Sequence, residues 1–272
     1  LCNDEIADYT NSGAWSKKAI KEAKLIGNVN VIADCADEIP TRVPSIDECN
    51  FTSNASYIHL TSNETISGAQ WKIFPENTAP LVADMSSDFL SKPLDISNFG
   101  LIYAGAQKNL GPAGVTLVII KDELADKCPK HIPTIFRYKT YIENNSLFNT
   151  VPTFPVYVLC LVTRWMKKIG GITEIQNINE NKANKLYKAI DSSDFYNGTA
   201  VKEYRSTMNV TWRIKNQELE SSFLEEASKH NLKTLKGHRS VGGIRASIYN
   251  AFPESGVDAL IAFMKDFESK NG

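Results

Sequence analysis

Tyr103-Ala104-Gly105-Ala106-Gln107-Lys108-Asn109-Leu110-Gly111-Pro112-Ala113-Gly114 separates two apolar runs, Leu101 to Ala104 and Val115 to Ile120. Neither run alternates with polar residues, which predicts strands of a sheet whose two faces are both covered by helices. Working outward, Val29 to Ala33, Tyr57 to Leu60 and Leu81 to Ala83 read the same way, and Ser16 to Lys24 reads as helix. The first half is therefore expected to be an α/β layer on a mainly parallel sheet.

Toward residues 149–172 the pattern changes. Pro152 and Pro155 interrupt the chain, Val156, Leu159, Cys160, Thr163 and Met166 then recur at helical spacing, and Gly170-Gly171 stops that helix. A second helix places Ile172, Ile175, Ile178, Ala183, Leu186 and Ile190 near one face. Beyond it come a strand near Met208 to Ile214, a helix carrying Leu219, Phe223 and Ala227, and two strands around Leu232 to Leu235 and Ile244 to Tyr249. A last helix groups Val257, Leu260, Ile261, Met264 and Phe267. This predicts a large unit over residues 1–170 and a smaller α+β unit over 171–272 with antiparallel pairing.

Composition narrows the function. The 272 residues are 42% apolar and 22% charged with a net charge of −1, so neither a nucleic acid nor an acidic surface is implied as partner. The longest apolar run, Val156 to Val162, falls far short of the ~20 residues that span a bilayer. Leu1 to Glu5 has neither the basic nor the apolar part of a signal peptide, and no initiator Met. Five cysteines (Cys2, Cys35, Cys49, Cys128, Cys160) without a Cys-x-x-Cys pair suggest reduced thiols in the cytoplasm, and triplets such as Asn63-Glu64-Thr65 are then chance glycosylation matches. Dispersed histidines (His59, His131, His230, His238) give no expected metal site.

Phosphate loops of the Gly-x-x-x-x-Gly-Lys and Gly-x-Gly-x-x-Gly kinds are absent, as is a Gly-x-Ser-x-Gly elbow. Three positive features remain. Lys108, held between two strands among small residues, would have a partly desolvated amine fit for a Schiff base; alternatively it is an exposed turn lysine. Asp84 closes the strand Leu81 to Ala83, at the carboxyl edge where open α/β sheets bind ligands; alternatively it caps a following helix. Together they suit pyridoxal phosphate, the lysine taking the aldehyde and the carboxylate holding the pyridine nitrogen protonated. Lys236-Gly237-His238-Arg239-Ser240-Val241-Gly242-Gly243-Ile244-Arg245 gathers cations that converge on an anion, or forms a solvated basic hairpin.

Ala104 to Asn109 with its Gly-Pro-Ala-Gly turn resembles the cofactor-lysine segment of the phosphoserine aminotransferases, among the fold type I pyridoxal phosphate enzymes. Val82-Ala83-Asp84-Met85-Ser86-Ser87, Ser62-Asn63-Glu64-Thr65-Ile66-Ser67-Gly68, Lys236 to Arg239 and Gly242 to Asn250 resemble the same family, in order from about Ala7 to the end. The resemblance implies that Lys108 carries the cofactor and shuttles the substrate proton, that Asp84 pairs with the pyridine nitrogen, and that Trp15 stacks on the ring. It further implies that Thr65 bonds the phenolic oxygen and Gln107 the phosphate, while Asn149 and Thr150 complete the site of the partner in a homodimer. His238, Arg239 and Arg245 would bind the substrate's phosphate and carboxylate. The implied reaction interconverts 3-phosphohydroxypyruvate and glutamate with O-phosphoserine and 2-oxoglutarate. Family members carry a further N-terminal segment before the position of Leu1, with a phosphate-binding loop. Its absence here leaves a truncated, non-catalytic paralogue as the alternative expectation. A lyase or desulfurase is a further alternative, without a recognisable catalytic cysteine loop to support it.

Overall fold

The computed structural model describes residues 5–36, 40–76 and 79–272. Its strands and helices follow in chain order. β1 (Ile6–Asn11), α1 (Ala14–Ala23), β2 (Asn28–Asp34), β3 (Ile58–Thr61), the short hairpin β4 (Asn63–Glu64) and β5 (Ala69–Gln70), β6 (Leu81–Asp84), β7 (Phe99–Gly105) and β8 (Thr116–Ile120) come first. α2 (Asp122–Asp126), α3 (Tyr138–Glu143), α4 (Thr153–Lys168) and α5 (Gly171–Asp191) follow. β9 (Tyr196–Gly198), β10 (Asn209–Ile214), α6 (Leu219–Lys229), β11 (Ile244–Ser247) and α7 (Glu254–Asn271) complete the chain.

Six strands form one sheet in the order β2-β1-β3-β6-β7-β8, parallel except for β8, which runs antiparallel to β7. Ile32, Ile58, Leu60, Leu81, Ala83, Phe99, Ile102 and Leu110 share the core of this sheet. β11-β10-β9 form a separate antiparallel sheet, covered by α5, α6 and α7 around Leu186, Trp212, Phe223 and Phe267. The α/β and α+β expectations are both met.

Local departures have physical causes. β1 is not among the strands that apolar runs predict, because Asp8, Thr10 and Asn11 make it look polar; yet Asp8 is fully buried. Its carboxylate accepts Thr52 N–H at 2.8 Å and Thr52 Oγ1–H at 2.7 Å, which replaces the water it loses. Pro152 and Pro155 start α4 rather than interrupt the chain: Pro152 is its N-cap and Pro155 sits in the first turn, where a missing N–H costs nothing. The strand expected around Leu232 to Leu235 is irregular, with Asn231 and Thr234 both left-handed and one bridge between Lys236 and Ile244. β9, three residues long, has too little pattern to be read in advance. Cys49, Cys128 and Cys160 are free thiols, and Cys2 lies outside the described residues. Among the described residues, no helix is long and apolar enough to cross a membrane.

Candidate active site

Parallel strands finish at the same edge of a sheet, so whatever follows each of them meets there. β1 leads into Trp15, β3 into Asn63 and Thr65, β6 ends at Asp84 and β7 leads into Lys108. The chain leaves β1 toward β2 on one side while β3 lies on the other, the reversal of strand order that opens a crevice. A cavity of about 380 Å³ fills it, lined by Trp15, Thr61, Asn63, Thr65, Ile66, Asp84, Ser86, Ser87, Gln107, Lys108, His238, Arg245 and Tyr249.

Glu64 anchors one wall. It is fully buried and accepts Trp15 N–H at 3.3 Å and Ser16 N–H at 3.1 Å, the first donors of α1. Burial raises its carboxyl above the ordinary range while those donors oppose the rise. Gly13 permits this approach, since a Cβ there would stand 2.7 Å from Glu64 Cδ. The start of α1 thus fixes Trp15, whose indole Nε1–H donates to Thr65 Oγ1 at 2.8 Å. Thr65 therefore keeps its own proton for a ligand. Lys108 Nζ lies 5.8 Å from the centre of the Trp15 ring.

Burial lowers the Lys108 amine below the ordinary lysine value, with Asp84 acting in the opposite direction. Asp84 Oδ1 accepts Ser86 N–H at 2.9 Å in an Asx turn, not at a helix cap, and its carboxylate still faces the cavity. Beneath it, His59 Nε2 and Tyr103 Oη are 3.0 Å apart and the His59 ring stacks on Tyr9 at 4.7 Å. His59 is pushed down to about 4 by burial, against the pull of Asp84, so the ring is neutral at pH 7. Across the cavity Arg245 Nη1 donates to the Thr65 carbonyl at 3.0 Å, and its buried Nε has no partner among the described residues. His238 Nδ1 accepts Ser240 N–H at 3.2 Å, which places the ring proton on Nε2.

Seven of the expected residues (Trp15, Thr65, Asp84, Gln107, Lys108, His238, Arg245) share this cavity. Arg239 is exposed and stands outside the lining. Asn149 and Thr150 are on an exposed segment before α4, also outside it. Sequence reading assigned no role to Thr61, Asn63, Ser86, Ser87 and Tyr249, four small polar residues and a tyrosine that signal nothing until the strand ends converge. Thr61 Oγ1 and Asn63 Oδ1 are buried without partners among the described residues, which fits a site waiting for a polar ligand. Among the described residues no cluster of His, Cys, Asp or Glu is arranged to hold a metal ion.

The class-V aminotransferase family model matches residues 3–260. A phosphoserine aminotransferase of Desulfosudis oleivorans is 53% identical over 275 residues, which cover all of this chain and 76% of that protein. The solved phosphoserine aminotransferase from Bacillus circulans subsp. alkalophilus superposes with a TM-score of 0.97 at 48% identity, over all of this chain and 76% of that one. The pyridoxal phosphate-bound phosphoserine aminotransferase from Trichomonas vaginalis superposes at 0.91 and 37% identity, over 96% of this chain and 75% of that one. The chain thus spans about three quarters of the length of these relatives.

Proposed function

The chain belongs to the class-V aminotransferase family, and on that premise we propose how its own side chains carry out the exchange of an amino group. The enzyme is a pyridoxal 5'-phosphate-dependent transaminase that interconverts 3-phosphohydroxypyruvate and L-glutamate with O-phospho-L-serine and 2-oxoglutarate, in L-serine biosynthesis. The single observation that carries the residue assignment is the convergence of Lys108, Asp84, Thr65 and Trp15 from four strand ends into one cavity with Arg245.

When bound, the cofactor supplies an aldehyde to receive the amino group and a conjugated ring that draws electrons from the substrate α-carbon. Asp84 would hold a proton on the ring nitrogen, and Trp15 would stack on the ring. Thr65 would donate its free hydroxyl proton to the phenolic oxygen, and Gln107 would donate to the phosphate. Lys108 Nζ, its amine depressed by burial, would hold the aldehyde and, once released by the substrate, would move the proton between the substrate α-carbon and the carbon that carried the aldehyde. Arg245 and its unpartnered Nε receive the α-carboxylate that all substrates share. His238, which lines the cavity, and its exposed neighbour Arg239 would receive the phosphate.

Two wider statements belong to the same proposal. Residues 1–170 and 171–272 act as large and small units joined at Gly170, which precedes α5, and Gly171, its first residue, both at positive φ. Two copies pair through the apolar surface around Asn149 and Thr150, where Phe136, Leu147, Phe148, Phe154 and Tyr157 are all exposed. In that pair Asn149 and Thr150 would reach the cofactor phosphate of the other copy. The free thiols suit the reducing cytoplasm. A non-catalytic paralogue is disfavoured by the intact cavity.

Arg245→Ala tests the assignment of the anion groups. It is expected to raise KM at least about tenfold for both O-phosphoserine and glutamate, whereas His238→Ala raises it for O-phosphoserine alone. An Arg245→Ala enzyme with an unchanged KM for glutamate would move Arg245 to the phosphate and overturn this division.

A further inference from the structure

Lys182 lies on α5, outside the cavity, and is fully buried. Its Nζ touches four backbone carbonyls: Ile248 at 3.0 Å, Tyr249 at 2.8 Å, Asn250 at 3.4 Å and Phe252 at 3.0 Å. Burial draws the amine down to about 8, opposed by the charge of Glu254. An apolar side chain of the same length would fill this space without the desolvation cost of an ammonium. What the ammonium adds is a grip on residues 248–252, an irregular stretch between β11 and α7 whose carbonyls have no strand ladder to satisfy them.

The other side of that stretch faces the site. Tyr249 lines the cavity. Asn250 N–H donates to Asn109 Oδ1 at 3.1 Å, and Asn109 is the neighbour of Lys108. Asn109 Nδ2 donates to the Phe89 carbonyl at 3.0 Å, and Asn250 Nδ2 donates to that of Leu90 at 2.8 Å. Both carbonyls belong to the turn that leaves Asp84, in which Leu90 is left-handed. Asn179, one turn before Lys182 on α5, donates to Asn250 Oδ1 at 2.8 Å and to the Ser91 carbonyl at 3.1 Å. Asn109, Asn179 and Asn250 are all buried, so water does not compete for these bonds.

We propose that Lys182 is a positioning residue for the transamination site: by gathering the 248–252 carbonyls it seats Asn250 against Asn109 and so sets the pose of Lys108. The inference rests on the reading of Lys108 as the cofactor lysine. It makes α5 the element through which the small unit reaches both the Lys108 turn and the Asp84 turn.

The test uses the whole chain with pyridoxal 5'-phosphate as probe. The pH midpoint of the cofactor's visible band is measured for the unaltered chain, Lys182→Met, Asn109→Ser and the double variant, with thermal unfolding of each chain alone. Both single variants should shift the midpoint in the same direction by about half a unit or more, and the double by no more than the larger single shift. Lys182→Arg, which keeps a buried donor, should restore part of the shift. Lys182→Gln replaces Lys182→Met in the cycle if the latter fails to fold. A Lys182 variant that melts earlier yet leaves the midpoint within about 0.1 unit has only a structural role, and that overturns the proposal. Additive shifts overturn it too. Borohydride trapping of the probe on the unaltered chain separates the two claims. Label away from Lys108 overturns both, whereas label on Lys108 with an unmoved midpoint overturns this one alone.

Discussion

In the core beside the three-stranded antiparallel sheet, Phe223 meets Phe263 at 5.0 Å and Phe267 at 5.1 Å between ring centres, edge toward face. At the carboxyl edge of the large sheet, equally shielded from water, Thr61 and Asn63 line the cavity, and each has a buried polar atom without a partner among the described residues. Apolar rings satisfy one another by contact alone, whereas an orphaned hydroxyl or amide costs free energy until something else bonds it. The first region is built to be stable by itself. The second gives up stability to keep polar atoms ready for a ligand, which is why the cavity opens there and not under α6.

That contrast is open to direct attack. The largest effect on stability is expected at Phe223→Ala, which should cost about 3–5 kcal/mol in urea unfolding. Cofactor absorbance per folded molecule should stay unchanged, because Phe223 has no part in the cavity. A fall in that absorbance would blur the two regions into one.

Next comes His59. Its folded value is about 4 against an ordinary 6.5, so between those values the unfolded chain binds a proton that the folded one refuses. Stability is therefore fully present above pH 6.5 and is lost as pH falls toward 4, by about 3 kcal/mol. His59→Phe should remove that part of the acid slope. An unaltered slope between pH 7 and 4 would mean that the ring is not held neutral.

The smallest effect belongs to Thr61→Val. Deleting a hydroxyl without a partner among the described residues should leave the stability of the protein without cofactor within about 1 kcal/mol, or raise it. Binding of pyridoxal 5'-phosphate should weaken several-fold by fluorescence titration. Unchanged binding would show that the orphaned hydroxyl serves no ligand.

How far the sequence could be read follows from the same contrast. Covered strands such as β7 announce themselves by unbroken apolar runs, and α5 and α7 by spacing, because their partners are other apolar residues. β1 hides because Asp8 is satisfied by Thr52, a partner 44 residues away that no local pattern reveals. In the site, Lys108 and Asp84 were legible as charges at strand ends. Trp15, Thr65 and Gln107 were legible only through the family resemblance, since an indole or hydroxyl has no motif of its own. Lys182 was silent: a lysine on a helix reads as surface, and only the folded carbonyls of residues 248–252 show why it is inside.

The central claim is that the strand-end cavity, through Lys108, is where the cofactor is held. Treating the chain with pyridoxal 5'-phosphate, reducing with borohydride and mapping the modified peptide by mass spectrometry tests it most directly. The account predicts one label, on Lys108. A label on Lys72 or on Lys182, whose amines burial draws down to about 8, or a label spread over surface lysines, would contradict it.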